Sequence, residues 1–248
     1  MLAPSTSGHH WCEARPIRHI VNPVGDTSGG LRADRVAIVT GGSRGVGAEV
    51  IRRLADLEYA VVVNYAHDQQ AAESIVEAIL AGGGAAVAVR ADVTDELDVE
   101  RMFDETIAVF GAIDAVVHTV RGHLETKRLR DTAIDEFDAL CRMSLRANLI
   151  VNGLAARHVR DGGAIVNVIT TVGEPALPYY AAQAIVTAAI EALTQVLAVE
   201  LRDRDIAVNA VALEVDQPIS PGTTAELIAH LVHKDRHGVP GQVIHPSS

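Results

Sequence analysis

The chain has 248 residues, with 32 acidic and 21 basic side chains, a formal charge of −11, and 48% apolar residues. That apolar content supports a packed core and excludes disorder throughout, and the length suits one α/β unit or two small ones. An acidic chain with no Lys/Arg run repels phosphate backbones and anionic lipid heads, so no nucleic acid and no membrane is expected as partner, and a small-molecule ligand is.

No continuous apolar run approaches the roughly 18 residues of a bilayer span, and the N-terminus has no secretory-signal pattern, so the expected compartment is cytoplasmic. Cys12 and Cys141 are too few and too far apart for a disulfide framework or a zinc site. Residues 1–34, punctuated by Pro4, Pro16, Pro23, Gly25, Gly29 and Gly30, read as a flexible leader. Its His9-His10-Trp11-Cys12 cluster lacks a spaced second pair of ligands, so no metal is expected there.

From Arg35 onward, short β-rich apolar runs alternate with stretches of helical period, the pattern of a parallel sheet wrapped in helices. Strands are predicted at Val36 to Thr40, Ala60 to Asn64, Ala85 to Val89, Ala112 to His118, Ala164 to Ile169, Ile206 to Val211 and Gln242 to His245. Helices are predicted near 45–57, 69–81, 95–109, 132–158, 179–203 and 224–233, all within one domain, 35–248. Two helices are apolar nearly all round. One carries Leu140, Leu145, Leu149, Ile150 and Leu154, and the other Ile185, Val186, Ile190, Val196 and Val199. One face of each can cover the sheet and the other a second subunit, which predicts a homodimer through a four-helix contact; the alternative is that such faces are tolerated in water.

After the first strand comes Thr40-Gly41-Gly42-Ser43-Arg44-Gly45-Val46-Gly47, running straight into a helix. Glycines let the backbone turn sharply against a pyrophosphate, and the free N–H groups of the helix attract its charge. The second strand ends at Asn64, where a fold that prefers NAD usually places a carboxylate for the ribose 2′-hydroxyl. A neutral Asn with Arg44 nearby suits a 2′-phosphate, so NADP(H) is the expected cofactor; Arg44 as a solvated surface charge is the alternative. Asp92 can accept from the adenine amino group, or can simply begin the next helix with Thr94 as its cap.

These pieces, together with Ala91-Asp92-Val93, Ile113-Asp114-Ala115-Val116-Val117, Gly163-Ala164-Ile165-Val166-Asn167, Ala188-Ala189-Ile190-Glu191-Ala192-Leu193-Thr194 and Val208-Asn209-Ala210-Val211-Ala212, resemble the short-chain dehydrogenase/reductase family. The likeness is to its 3-oxoacyl-carrier-protein reductase-like branch and runs from Arg35 to His245. It implies a Rossmann-type three-layer αβα sandwich on a seven-stranded parallel sheet ordered 3-2-1-4-5-6-7. It also implies dinucleotide contacts from Gly41, Ser43, Arg44, Gly45, Val46, Gly47, Asn64, Asp92 and Val93, and a homodimer or homotetramer. In the family a Ser, Tyr, Lys and Asn set reduces a carbonyl. The Tyr protonates the nascent alkoxide, the Lys lowers its pKa, the Ser polarises the carbonyl and the Asn holds a relay water.

This sequence departs from the family at that set. Anchored on the run from Ala188 to Leu201, the Lys position falls on Thr187 and the Tyr position on Gln183, while the Ser position falls on Thr170 and the Asn position on Ser144. Glutamine has no titratable proton and threonine no positive charge. Tyr179 and Tyr180 lie nearby, but no register restores a Tyr-x-x-x-Lys pair. The Asn-Asn-Ala-Gly after the fourth strand reads His118-Thr119-Val120-Arg121, and the Pro-Gly after the sixth reads Leu213-Glu214. Residues 214–241 leave room for one short helix, capped by Thr223 and Glu226, where the family places a substrate lid. Three readings follow. The chain is a noncatalytic nucleotide-binding member, acting as a ligand-responsive scaffold or as the partner of an active relative; or an NADPH-dependent carbonyl reductase using non-standard residues; or a non-redox enzyme of dehydratase or cyclase type, with His118 as acid/base flanked by Thr170, Tyr179 and Tyr180.

Overall fold

The structure, a computed structural model, describes residues 34–123, 125–171, 177–214, 220–233 and 239–245. The leader to residue 33, and Lys234 to Gly238, lie outside these. Seven parallel strands form one sheet, β1 (Val36–Thr40), β2 (Ala60–Tyr65), β3 (Ala86–Arg90), β4 (Ile113–His118), β5 (Val159–Thr171), β6 (Ala207–Glu214) and β7 (Val243–Ile244), in the order β3-β2-β1-β4-β5-β6-β7. The expected three-layer sandwich and strand order are therefore present. Strands buried on both faces must be apolar at every position, and β1 and β2 are buried throughout.

Alternation along the strands sorts the core into two layers. Ala37, Val39, Val61, Val63, Ala115 and Val117 pack beneath α1 (Gly45–Asp56), α2 (Gln69–Ala81) and α7 (Pro221–Val232). Val36, Ile38, Val62, Val116, Ile165 and Val208 pack beneath α3 (Glu96–Phe110), α5 (Ala147–His158) and α6 (Ala181–Glu200). The β1–β4 step is where the strand order reverses direction, and it opens a crevice at the carboxyl ends of both strands, the usual ligand position in such sheets.

Several predicted boundaries shift for local reasons. The helix expected over 132–158 is divided into α4 (Ile134–Cys141) and α5 by a π-helical turn at Arg142–Arg146, and the Asn148 side chain donates to the Ser144 carbonyl (2.8 Å) in that stretch. The cap of α3 is Asp95 rather than Thr94, since its carboxylate accepts from the backbone N–H groups of Leu97 and Asp98. Helix α7 is capped by Ser220, which accepts from Thr223 N–H, with Pro221 at the first helical position; the Thr223/Glu226 capping box is not formed. Contrary to the sequence expectation, α6 is long and apolar enough to cross a bilayer by length and composition, but its stripe of Ala182, Val186, Ile190 and Leu197 is buried within this fold.

Candidate nucleotide site and catalytic cleft

The β1–α1 loop has the form a diphosphate needs. Gly45 takes a left-handed φ of +56° and has nothing within 4 Å of where a side chain would stand, so the approach to the helix is open. Gly47 is required for the opposite reason: a Cβ there would lie 2.4 Å from the Gly41 carbonyl. Whereas α2, α3 and α7 are capped by Asp68, Asp95 and Ser220, α1 begins after Arg44 with no side-chain cap and no acidic residue in its first turn. Its first N–H groups and positive dipole end are left for an anionic ligand. Thr119 Oγ1 donates to the Thr40 carbonyl (2.7 Å) and steadies the base of the loop.

On the adenosine side the structure corrects the role assigned to Asn64. This side chain is buried. Its Oδ1 accepts from Gly41 N–H (3.2 Å) and its Nδ2 donates to the Ala91 carbonyl (3.0 Å), so it ties the loop to β2 and β3 and does not face a ribose. Arg44 is exposed as expected, but it is not unpaired: its guanidinium donates through Nε and Nη2 to Asp68, the N-cap of α2. The backbone N–H of Ala71 and the Arg44 guanidinium together hold the Asp68 pKa below the ordinary carboxylate value. Asp68 was passed over in the sequence, although its place ahead of a predicted helix is a capping signal. Asp92 Oδ1 accepts from the Thr94 N–H and hydroxyl, and the first of these bonds leads in lowering its pKa; Oδ2 remains for a ligand. Val93 packs in the core and can offer a ligand backbone only.

His118 is the clearest correction. The side chain at the end of β4 is fully buried, its Nδ1 lies 2.7 Å from Thr40 Oγ1, and its Nε2 has no partner. Burial lowers its pKa to about 4, so at neutral pH it is an uncharged core group out of a substrate's reach. Proton chemistry at His118 is therefore withdrawn.

The four family catalytic positions do converge. Ser144 from the π turn, Thr170 from the end of β5, and Gln183 and Thr187 one turn apart on α6 line one cleft of about 230 Å³, together with Arg121 and Asn148. Thr187 Oγ1 donates to the Thr170 backbone carbonyl and is thereby occupied. Thr170 Oγ1 accepts from Arg121 Nη1 (2.8 Å), and Ser144 Oγ accepts from Gly122 N–H (3.0 Å). A buried polar ladder of Asn148, Asn152, Asn167 and Thr194 braces the floor between α5, β5 and α6. Arg121 entered the sequence reading only as a departure from Asn-Asn-Ala-Gly; its place in the cleft emerges from the β4 register. Neither tyrosine lines this cleft. Tyr179, at φ +75°, presents its hydroxyl to Arg128 (3.4 Å), and Tyr180 is the uncapped N-cap of α6.

Fold and loop together define a Rossmann-type dinucleotide-binding protein. A family model described as enoyl-(acyl carrier protein) reductase matches residues 41–234. Versicolorin reductase 1 of Aspergillus parasiticus is 37% identical over 182 residues, covering 72% of this chain and 68% of the relative. Among solved structures, a dehydrogenase/reductase from Sinorhizobium meliloti 1021 aligns with a TM-score of 0.79 at 30% identity, covering 86% of this chain and 93% of that one. A short chain dehydrogenase from Burkholderia cenocepacia J2315 in complex with NADP gives 0.78 at 28%, covering 88% and 97%. The chain belongs to the short-chain dehydrogenase/reductase family.

Proposed function

We propose that the protein binds NADP(H) across the β1–α1 loop and uses the adjoining cleft to hold a small ligand, without running the family's ketone reduction. The observation that carries this reading is the make-up of the cleft, where the four converging positions are Ser144, Thr170, Gln183 and Thr187. NADPH, when bound, supplies a hydride. The alkoxide that hydride addition creates needs a proton donor, and Gln183 has none to give, while Thr187 brings no charge and its hydroxyl is already donated. The uncapped α1, the open Gly45 and the exposed Arg44 support nucleotide binding. The arrangement suits a scaffold or the noncatalytic partner of an active relative. Among the described residues, α7 is the one helix between β6 and β7, and it packs against α1, which accords with a shortened lid.

A second reading, an NADPH-dependent carbonyl reductase with non-standard residues, is favoured by the contact between Arg121 and Thr170 and by the reductase name of the Aspergillus relative. In it the guanidinium and the Thr170 hydroxyl polarise the carbonyl and water supplies the proton. Titrating NADPH by fluorescence and assaying its oxidation over a ketone and aldehyde panel separates the two. Absence of binding of NADPH or NADH at millimolar concentration overturns both.

The partner reading extends this proposal. Leu149 on α5 and Ile185, Val196 and Val199 on α6 are each about half to two-thirds exposed, with Ala188, Ala189 and Ala192 between them. A second copy of the chain meeting these helices across a two-fold axis covers that face. A cytoplasmic location, and residues 1–34 as a leader ahead of one nucleotide-binding domain over 35–248, belong to the same proposal.

A further inference from the structure

We propose that the cleft is a receptor for a small carboxylate-bearing ligand, with the carboxylate paired to the Arg121 guanidinium and accepting from the Thr170 and Ser144 hydroxyls. This names the ligand class of the cleft and rests on the reading of that cleft as a ligand site.

The first observation is an arginine without a counter-charge. Arg44, Arg101, Arg160 and Arg204 each form an ion pair with a carboxylate, in a chain with 32 acidic against 21 basic residues. Among the described residues no carboxylate pairs with Arg121, and none lines the cleft. Its recorded hydrogen bond is to a neutral hydroxyl. The guanidinium has lost enough hydration to pull its pKa below the ordinary value, with no nearby charge opposing that shift. A cation that gives up water without gaining an anion is stabilised by one that arrives as ligand.

The second observation is the direction of the hydrogen bonds. Thr170 Oγ1 and Ser144 Oγ both accept, from Arg121 and from Gly122 N–H, so each keeps its own proton to donate. The Gln183 amide has no partner among the described residues and adds two more N–H donors at the rim. A cleft with one cation, several free donors and no acid selects an anion. Its size, about 230 Å³, lies below the roughly 300–1,000 Å³ of drug-sized sites, which points to a compact acid.

The test is calorimetric titration of the full chain with acetate, benzoate and acetoacetate, set against their ethyl esters and inorganic phosphate, with NADPH affinity measured separately. At least one acid is expected to bind about tenfold more tightly than its ester, with Arg121→Gln weakening it by about tenfold or more and Thr170→Val by a smaller factor. An unchanged melting temperature shows that R121Q is folded, and unchanged NADPH affinity shows that the guanidinium does not serve the nucleotide's phosphates. The proposal is overturned if every ester matches its acid, if no acid binds at ten-millimolar concentration, if R121Q keeps wild-type acid affinity, if phosphate binds more tightly than every carboxylate, or if R121Q loses NADPH instead. Failure of the wild type to bind NADPH defeats the nucleotide reading and leaves the carboxylate arms standing.

Discussion

Replacing His118 by Asn tests whether β4 ends in a buried neutral imidazole, and the size of the effect follows from the structure. Burial holds the folded-state pKa at about 4, against about 6.5 in an unfolded chain. Above pH 6.5 the ring is neutral in both states and contributes no pH dependence. As pH falls below that, the unfolded chain binds a proton that the folded chain refuses, so stability drops by up to about 1.4 kcal/mol per pH unit. The loss levels off once the pH passes the folded value near 4, where both states are protonated. The difference of about 2.5 units amounts to roughly 3 kcal/mol in all, of which roughly 2 kcal/mol has been lost by pH 5. Asn can still meet Thr40 Oγ1 and does not titrate. Urea unfolding of wild type and His118→Asn at pH 7.5 and pH 5 reads the effect directly: the stability difference is expected to move by about 2 kcal/mol in favour of the variant. A difference that stays flat between the two pH values means that the ring is hydrated or already charged, and refutes the burial argument.

Asp68→Asn keeps the α2 cap, since an amide oxygen still accepts from Ala71 N–H, but releases Arg44 from its ion pair. NADPH affinity is expected to rise roughly two- to fivefold, the range of an exposed pair, with NADH unmoved; equal changes for both nucleotides contradict a 2′-phosphate role for Arg44. Gly47→Ala places a methyl 2.4 Å from the Gly41 carbonyl. The loop must shift, at a cost of about 1–3 kcal/mol, and nucleotide binding should fall with it; wild-type affinity shows that the loop is not the site. Leu149→Glu combined with Val196→Glu puts two charges on the exposed apolar face of α5 and α6. Light scattering is expected to show a dimer for wild type and a monomer for the variant, and a monomeric wild type removes the two-fold contact.

Much of the fold was legible because its signals are backbone signals. Strands buried on both faces read as continuous Val and Ile runs, and the Gly41 to Gly47 loop is intelligible from sterics alone, so β1, α1 and the phosphate approach fall where expected. The convergence of Ser144, Thr170, Gln183 and Thr187 was legible too, since α6 is unbroken and its register follows from the Ala188 to Leu201 run. What could not be read was side-chain direction at strand ends. Asn64 and His118 both stand at the carboxyl ends of strands facing the crevice, but the pleat turns both inward, one to the Ala91 carbonyl and the other to Thr40. Tyr179 turns toward Arg128 through a left-handed backbone that composition does not announce. Arg121 and Asp68 became visible as site residues only when β4 met β5 and when α2 came beside the loop.

The central claim, a nucleotide fold whose proton relay is absent, meets its most direct test in Gln183→Tyr combined with Thr187→Lys. NADPH oxidation is followed over one carbonyl panel for wild type and the double variant, each first shown to bind NADPH. The account predicts binding by both proteins, no turnover above background by the wild type, and measurable reduction once the tyrosine and lysine face Thr170 across the cleft. Wild-type turnover at an ordinary enzyme rate, on the order of 1 s⁻¹ or faster, contradicts it and assigns the chemistry to Arg121, Thr170 and water.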